Sequence, residues 1–395
     1  MNRWIILSGF FALQALASLG TMSVPPLAPF IKADWHLGET QVGLFAAALY
    51  GGTALASLPA GLFTDRLGPR RVLGWGQFLV GLLIFALAWT PHLHLALFCM
   101  LLAGIGYSTL TPATTKAIMY LFPIHLRSTA VSLKQTGVPA GSSLAAALLP
   151  SLALASSWRH SIALAATVII VSGLIFYLLY RDPPEMHSEE TARSSYYHDL
   201  RQVLHSKDII AMGFFIFIMM AVQLSLGTFL ALYLVEKIGY GKVVAGGYLA
   251  LAQMAAAVGR PAWGLLSDSL FHGKRKPVLY LCAGLAMLMA LSMAFTSRAT
   301  PGWCLAIIAL LFGFSANGHN GVGVTLVAEL GGKEMAGAAL GFCSTICYLG
   351  VVFGTPLFGY LAESSGSYLA AWLFLAVILA LALVLLALVK EKARG

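Results

Sequence analysis

Lys134 in SLKQTGVPAGSS, Arg260 in AVGRPAWG and His319 in FGFSANGHNGVG are titratable side chains set inside otherwise apolar stretches. Together they could neutralise and orient an anion. Arg offers a two-pronged fork to a carboxylate, sulfonate or phosphate, and Lys a point charge. His titrates near neutral pH, so it could hold the solute, carry a proton, or do both. Gln135 follows Lys134, Asn317 and Asn320 stand one helical turn apart around His319, and Gln223 and Tyr107 add polar groups at similar depth. Each has a plainer reading. Lys134, Arg260 and Lys116 lie close enough to the ends of their stretches to snorkel to water, and Arg260 could pair with Asp268 two turns on. His319 and the two asparagines could bond across helices rather than line a cavity.

The elements that must position these groups follow from composition. The chain has 395 residues, 59% of them hydrophobic and 10% charged, with a mean hydropathy of +0.84. Apolar runs of about 20 residues recur along it, each long enough to cross a bilayer as a helix. Twelve spans are expected near 5–31, 40–64, 71–91, 94–122, 128–152, 161–181, 208–235, 243–267, 277–296, 302–328, 336–362 and 367–389. The first lacks a cleavage pattern and reads as a retained helix. One hydrophilic segment, 182–207, separates residues 1–181 from 208–395, so the expectation is two six-helix halves, an internal repeat. Placing both termini inside puts most of the 24 Lys and Arg on the cytoplasmic side, which orients the chain. The net charge of +9 is mostly this bias, with attraction to anionic lipid, and calls for no nucleic acid. The five cysteines lie inside spans as small apolar residues and make no metal site. All fifteen Asp and Glu fall in loops or near span ends, which argues against a cationic solute. Gly137, Pro139 and Gly141 are expected to loosen span five.

Charge is concentrated in GLFTDRLGPRR (Gly61, Asp65, Arg66, Gly68, Arg70 and Arg71), between spans two and three. GLLSDSLFHGKRK echoes it between spans eight and nine, with Gly264 and Asp268. Gly61 would let another helix approach, and Asp65 could accept from the N-terminus of a neighbouring helix. This loop, its echo, the span count and the central linker resemble the major facilitator superfamily over the whole chain. Phe63 and Pro69 depart mildly from its loop pattern, and Ser269 replaces an Arg in the echo. The resemblance implies an all-α fold of twelve transmembrane helices in two pseudo-symmetric bundles. It also implies that Asp65 meets the start of span eleven, near Met335–Ala339, as a latch on one conformation.

SLKQTGVPAG and GHNGVG resemble segments of bacterial carriers of cyanate, nitrate and similar small anions, although the nitrate signature is absent. The expected function is a monomeric, multi-pass secondary carrier of a small anion, a monocarboxylate among the candidates, in a bacterial inner membrane. It would use proton symport or anion exchange, without cofactor. No nucleotide-binding loop or catalytic constellation appears, so it is not read as an enzyme. Three alternatives stand beside it. One is an efflux carrier for neutral or amphipathic compounds, and another a copper importer using Met219, Met220, Met254 and His319. The third is a membrane scaffold or sensor.

Overall fold

In lipid a chain must satisfy its own backbone, and these apolar runs do so as helices. The computed structural model describes residues 3–182 and 202–391, and no strand occurs among them. Most of the expected linker therefore lies outside the described residues.

Span one is α1 (Arg3–Thr21) and α2 (Val24–Trp35), broken where Pro25 and Pro26 open α2 without N–H groups. Span two is α3 (Glu39–Leu67) and span three α4 (Pro69–Ala88). Span four is α5 (Leu93–Tyr107) and α6 (Leu110–Leu121), broken at Ser108 and Thr109. Span five joins α7 (Ile124–Gln135) to α8 (Gly137–Ala155), and span six is α9 (Trp158–Leu179). Span seven is α10 (Lys207–Tyr233), which ends in a π-turn, Leu234–Ile238. Spans eight and nine are α11 (Lys242–Ser269) and α12 (Lys276–Ala294). Span ten begins as α13 (Gly302–Ala316), breaks, and continues as the start of α14 (His319–Ser364). Gly332, at φ 62°, turns α14 into span eleven, and α15 (Tyr368–Leu388) is span twelve. Eleven stretches are long and apolar enough to cross a membrane. With its 29 residues, roughly 43 Å at the helical rise, α3 makes the twelfth.

The described chain forms two compact units. One comprises Met1–Leu37, Leu44–Thr191 and Gly241–Ala250, and the other Gly38–Gly43, Ala192–Tyr240 and Leu251–Gly395. In the first, Phe10, Phe122, Phe176 and Tyr180 belong to one buried cluster, with Phe176 stacked on Tyr180 at 4.9 Å. In the second, Phe229 stacks on Phe358 at 4.7 Å and Trp372 meets Phe358 edge-on. Also in the second, the first turn of α3 is capped by Glu363, whose Oε2 accepts from both the N–H and the hydroxyl of Thr40.

Glycines decide how closely the helices pack. A Cβ on Gly141 would overlap the Ala15 carbonyl of α1, and one on Gly104 the Leu49 carbonyl of α3. In the second unit Gly350 meets Phe217 and Gly313 meets Ala252 in the same way. One offset relates Gly104 to Gly313 and Gly141 to Gly350, so the repeat extends to backbone contacts. Span five is interrupted at Thr136, just before Gly137, as expected of this segment, and the missing side chains of Gly137 and Gly141 also let α8 lie against α1. Gly61 and Gly264 differ, since a Cβ there would meet nothing within 4 Å. The close helix approach expected at Gly61 is not made in this conformation.

Gly141→Ala is expected to cost about 1–3 kcal/mol by overpacking. Gly9→Ala, which has open space around the added carbon, should stay within about 0.5 kcal/mol of the parent. Melting temperatures of the two purified variants check this.

Candidate functional site

The break in span ten sets the geometry of the second unit. A helix that stops at membrane depth frees carbonyls that water cannot reach, and four side chains reach these oxygens or the turns beside them. The N–H of Gly318 turns back to Ser315, leaving the Phe314 carbonyl to the indole N–H of Trp263 at 3.0 Å. Asn317 Nδ2 donates to Gly313, and Asn320 Nδ2 to the Asn317 carbonyl. His319 Nδ1 lies 2.8 Å from the Ala316 carbonyl. A carbonyl only accepts, so Nδ1 carries the proton and Nε2 keeps the lone pair of the neutral ring. Gly318 has no side chain because the Trp263 indole lies against it.

These bonds sort the expected site residues. Asn317, 4% exposed, caps the helix end. Asn320 also donates to Gln223 Oε1 at 2.9 Å, tying span ten to span seven. His319 is 1% exposed, and its Nε2 has no hydrogen-bond partner among the described residues. Arg260 is half-buried and near enough to His319 for their charges to interact. Its backbone also faces Gly321, just beyond the break. The structure thus groups Arg260, His319, Asn317, Asn320 and Gln223. Sequence reasoning passed over Trp263, although its place one turn after Arg260 was a usable signal.

In the first unit Lys134 is fully buried, so it does not snorkel, and its Nζ donates to Thr114 Oγ1 at 3.0 Å. Gln135 and Lys116 are half-buried. Tyr107, at the end of α5, receives Gln14 Nε2 at 3.3 Å and lies 3.3 Å from Ser18 Oγ.

The charged loop holds its own unit together. Arg70 donates its backbone N–H to the Asp182 carboxylate and its Nε to the Tyr177 carbonyl, with its guanidinium 4.6 Å from the Tyr177 ring centroid. The echo repeats the device: Glu391 accepts from the backbone N–H groups of Arg275 and Lys276. The pairing of Arg260 with Asp268 is corrected, because Asp268 pairs with Arg275, which also lies 3.5 Å from Glu329. Arg66 and Arg71 are exposed, and Gly68 turns with φ 78° ahead of α4. The side chain of Asp65 and the residues Met335–Gly337 lie outside what the structure describes, and the expected latch with them. Met219, Met220 and His319 are buried while Met254 is 60% exposed, so the thioether–imidazole set is not assembled here. Among the described residues no cluster of His, Cys, Asp and Glu could hold a metal.

A sequence profile described as Major Facilitator Superfamily matches residues 10–355, with a second match over 272–395. The chain is 25% identical to a probable sulfoacetate transporter of Cupriavidus necator, over 93% of this chain and 89% of that protein. It is 23% identical to a hexuronate transporter of Bacillus subtilis (90% and 88% covered). It is also 23% identical to a probable hexose phosphate transport protein of Chlamydia pneumoniae (83% and 78%). Among solved structures, a bacterial homologue of the human lysosomal transporter Spinster superposes with a TM-score of 0.81 at 16% identity, covering 98% of this chain and 97% of that one.

Trp263→Phe keeps a ring against Gly318 but leaves the Phe314 carbonyl without its donor. The expected loss is about 1–3 kcal/mol, read as a lower unfolding temperature of the purified variant against wild type.

Proposed function

The chain belongs to the major facilitator superfamily, and we propose that within it the protein is a secondary carrier of small organic anions. It is a multi-pass membrane transporter of small solutes, with the twelve-helix, two-bundle architecture of its family, and not an enzyme. The observation that carries the anion reading is the buried His319, whose Nε2 has no partner among the described residues, with the charge of Arg260 close by beside the break in span ten. Arg260 would grip the acidic group, and His319 Nε2 would accept a proton or a hydrogen bond from an acid. Asn317, Asn320 and Gln223 brace the backbone on either side of His319. In the first unit, the buried Lys134, with Gln135 beside it in sequence and Tyr107 on span four, is a second positive locus proposed to attract the anion. The named solutes of the three relatives, sulfoacetate, hexuronate and hexose phosphate, all bear acidic groups, which supports the same reading.

The coupling proton would ride on His319 or on the solute, by proton symport or anion exchange. The proposed setting is a bacterial inner membrane, with a monomer whose termini face the cytoplasm. The two halves, 1–181 and 208–395, would move about the linker 182–207. Asp65 in its loop would favour one facing, while Arg70 anchors the loop to span six.

Proteoliposome uptake of sulfoacetate, glucuronate and lactate tests the reading. Arg260→Ala should reduce uptake of the transported acid about 10- to 100-fold, the scale of one charge-assisted bond, and Arg260→Lys should restore part of it. His319→Gln should remove stimulation by an inward proton gradient. Uptake of amines or neutral lipophiles, with every acid inert, would instead support the efflux alternative.

A further inference from the structure

Arg260 shares its face of span eight with a second polar side chain. Gln253 stands seven residues earlier, two helical turns and about 10 Å along the same side. It is half-buried and makes no hydrogen bond among the described residues. Its amide lies against span seven, where a Cβ on Gly227 would meet Gln253 Nε2 at 3.5 Å. Gly227 comes one turn after Gln223, which puts both glutamines over the same face of span seven. These residues all belong to the second unit, as does His319.

The break in span ten fixes which way the Gln223 amide points. Asn320 Nδ2 donates to the Asn317 carbonyl at 3.1 Å and to Gln223 Oε1 at 2.9 Å. Turning the Asn320 amide over would set its oxygen against that carbonyl, two acceptors face to face. Asn320 therefore keeps its donor toward Gln223, and Gln223 must answer with its oxygen. The half-buried Gln223 is left with Nε2 as a donor that has no partner among the described residues. No such tie bears on Gln253, whose amide can turn to suit whatever lies beside it.

We propose that Gln253 and the Nε2 of Gln223 form a second subsite, which reads a hydrogen-bond acceptor, such as a carbonyl oxygen, further along the cargo from its acidic group. The acidic end of such a solute rests on the anion reading, whereas the acceptor end stands on the locked amide of Gln223 and on Gln253. A methylene pressed against these donors would strand them, so the acid that bears the carbonyl is preferred to its alkyl counterpart.

The test uses the full-length purified protein and two matched pairs: levulinate against valerate, and the neutral levulinamide against valeramide. Dissociation constants come from thermal stabilisation. Wild type is expected to bind levulinate about 5- to 10-fold more tightly than valerate, the scale of one net hydrogen bond. Gln253→Leu should bring that ratio close to one, and Gln223→Met should lower it. Should Gln253→Leu fail to fold, Gln253→Met removes the same amide with an unbranched chain of similar length. A glutamine that only braced the helices would weaken both acids alike and leave the ratio standing, which overturns the subsite. A wild-type ratio near one, or binding of none of the four compounds, overturns it too. If the neutral pair shows a Gln253-dependent ratio while neither acid binds, the anion reading falls and the subsite stands.

Discussion

Lipid offers no hydrogen bonds, so a helix that breaks at membrane depth must find side chains for the carbonyls it frees. The break in span ten obeys this with Trp263, Asn317, His319 and Asn320, each bonded to a carbonyl at or beside it. Most of the polar character of this segment is thereby spent on holding its shape. What remains over is small and specific: one ring nitrogen of His319, with the half-buried Arg260 near it. Capping also fixes the tautomer of that histidine, so its free nitrogen is the one able to gain a proton.

The same economy governs the charges at the rims. Asp182 and Glu391 receive the backbone N–H groups at the starts of spans three and nine, and Glu363 does so for span two. A carboxylate suits a helix N-terminus because unsatisfied donors and the positive end of the helix dipole meet there. The offset linking Asp182 to Glu391 is the one that links the packing glycines, so the repeat extends to these two capping acids. These three acids are structural groups at the rims.

The span count, the bipartite repeat and the glycine-rich segments around Lys134 and His319 were legible in the sequence, because length, hydropathy and helix-breaking residues are local properties. The roles of individual polar groups were less so. Asn317 reads equally as a ligand or a cap until its amide is seen on the Gly313 carbonyl. Gly137 and Gly141 read as helix breakers, and their second use shows only once α1 is seen against them. Trp263 was signalled only by its place one turn after Arg260, because its partner lies on another span, and Arg275 displaced Arg260 as the partner of Asp268 across a turn that spacing alone does not predict.

The most direct measurement is the ¹⁵N chemical shift of the His319 ring in the purified protein, assigned by its disappearance in His319→Gln. The account predicts a neutral ring protonated at Nδ1, with the Nε2 resonance moving much further than Nδ1 when a transported acid saturates the site. A ring protonated at Nε2 in the free protein, or an Nε2 resonance unmoved by saturating acid, would contradict it.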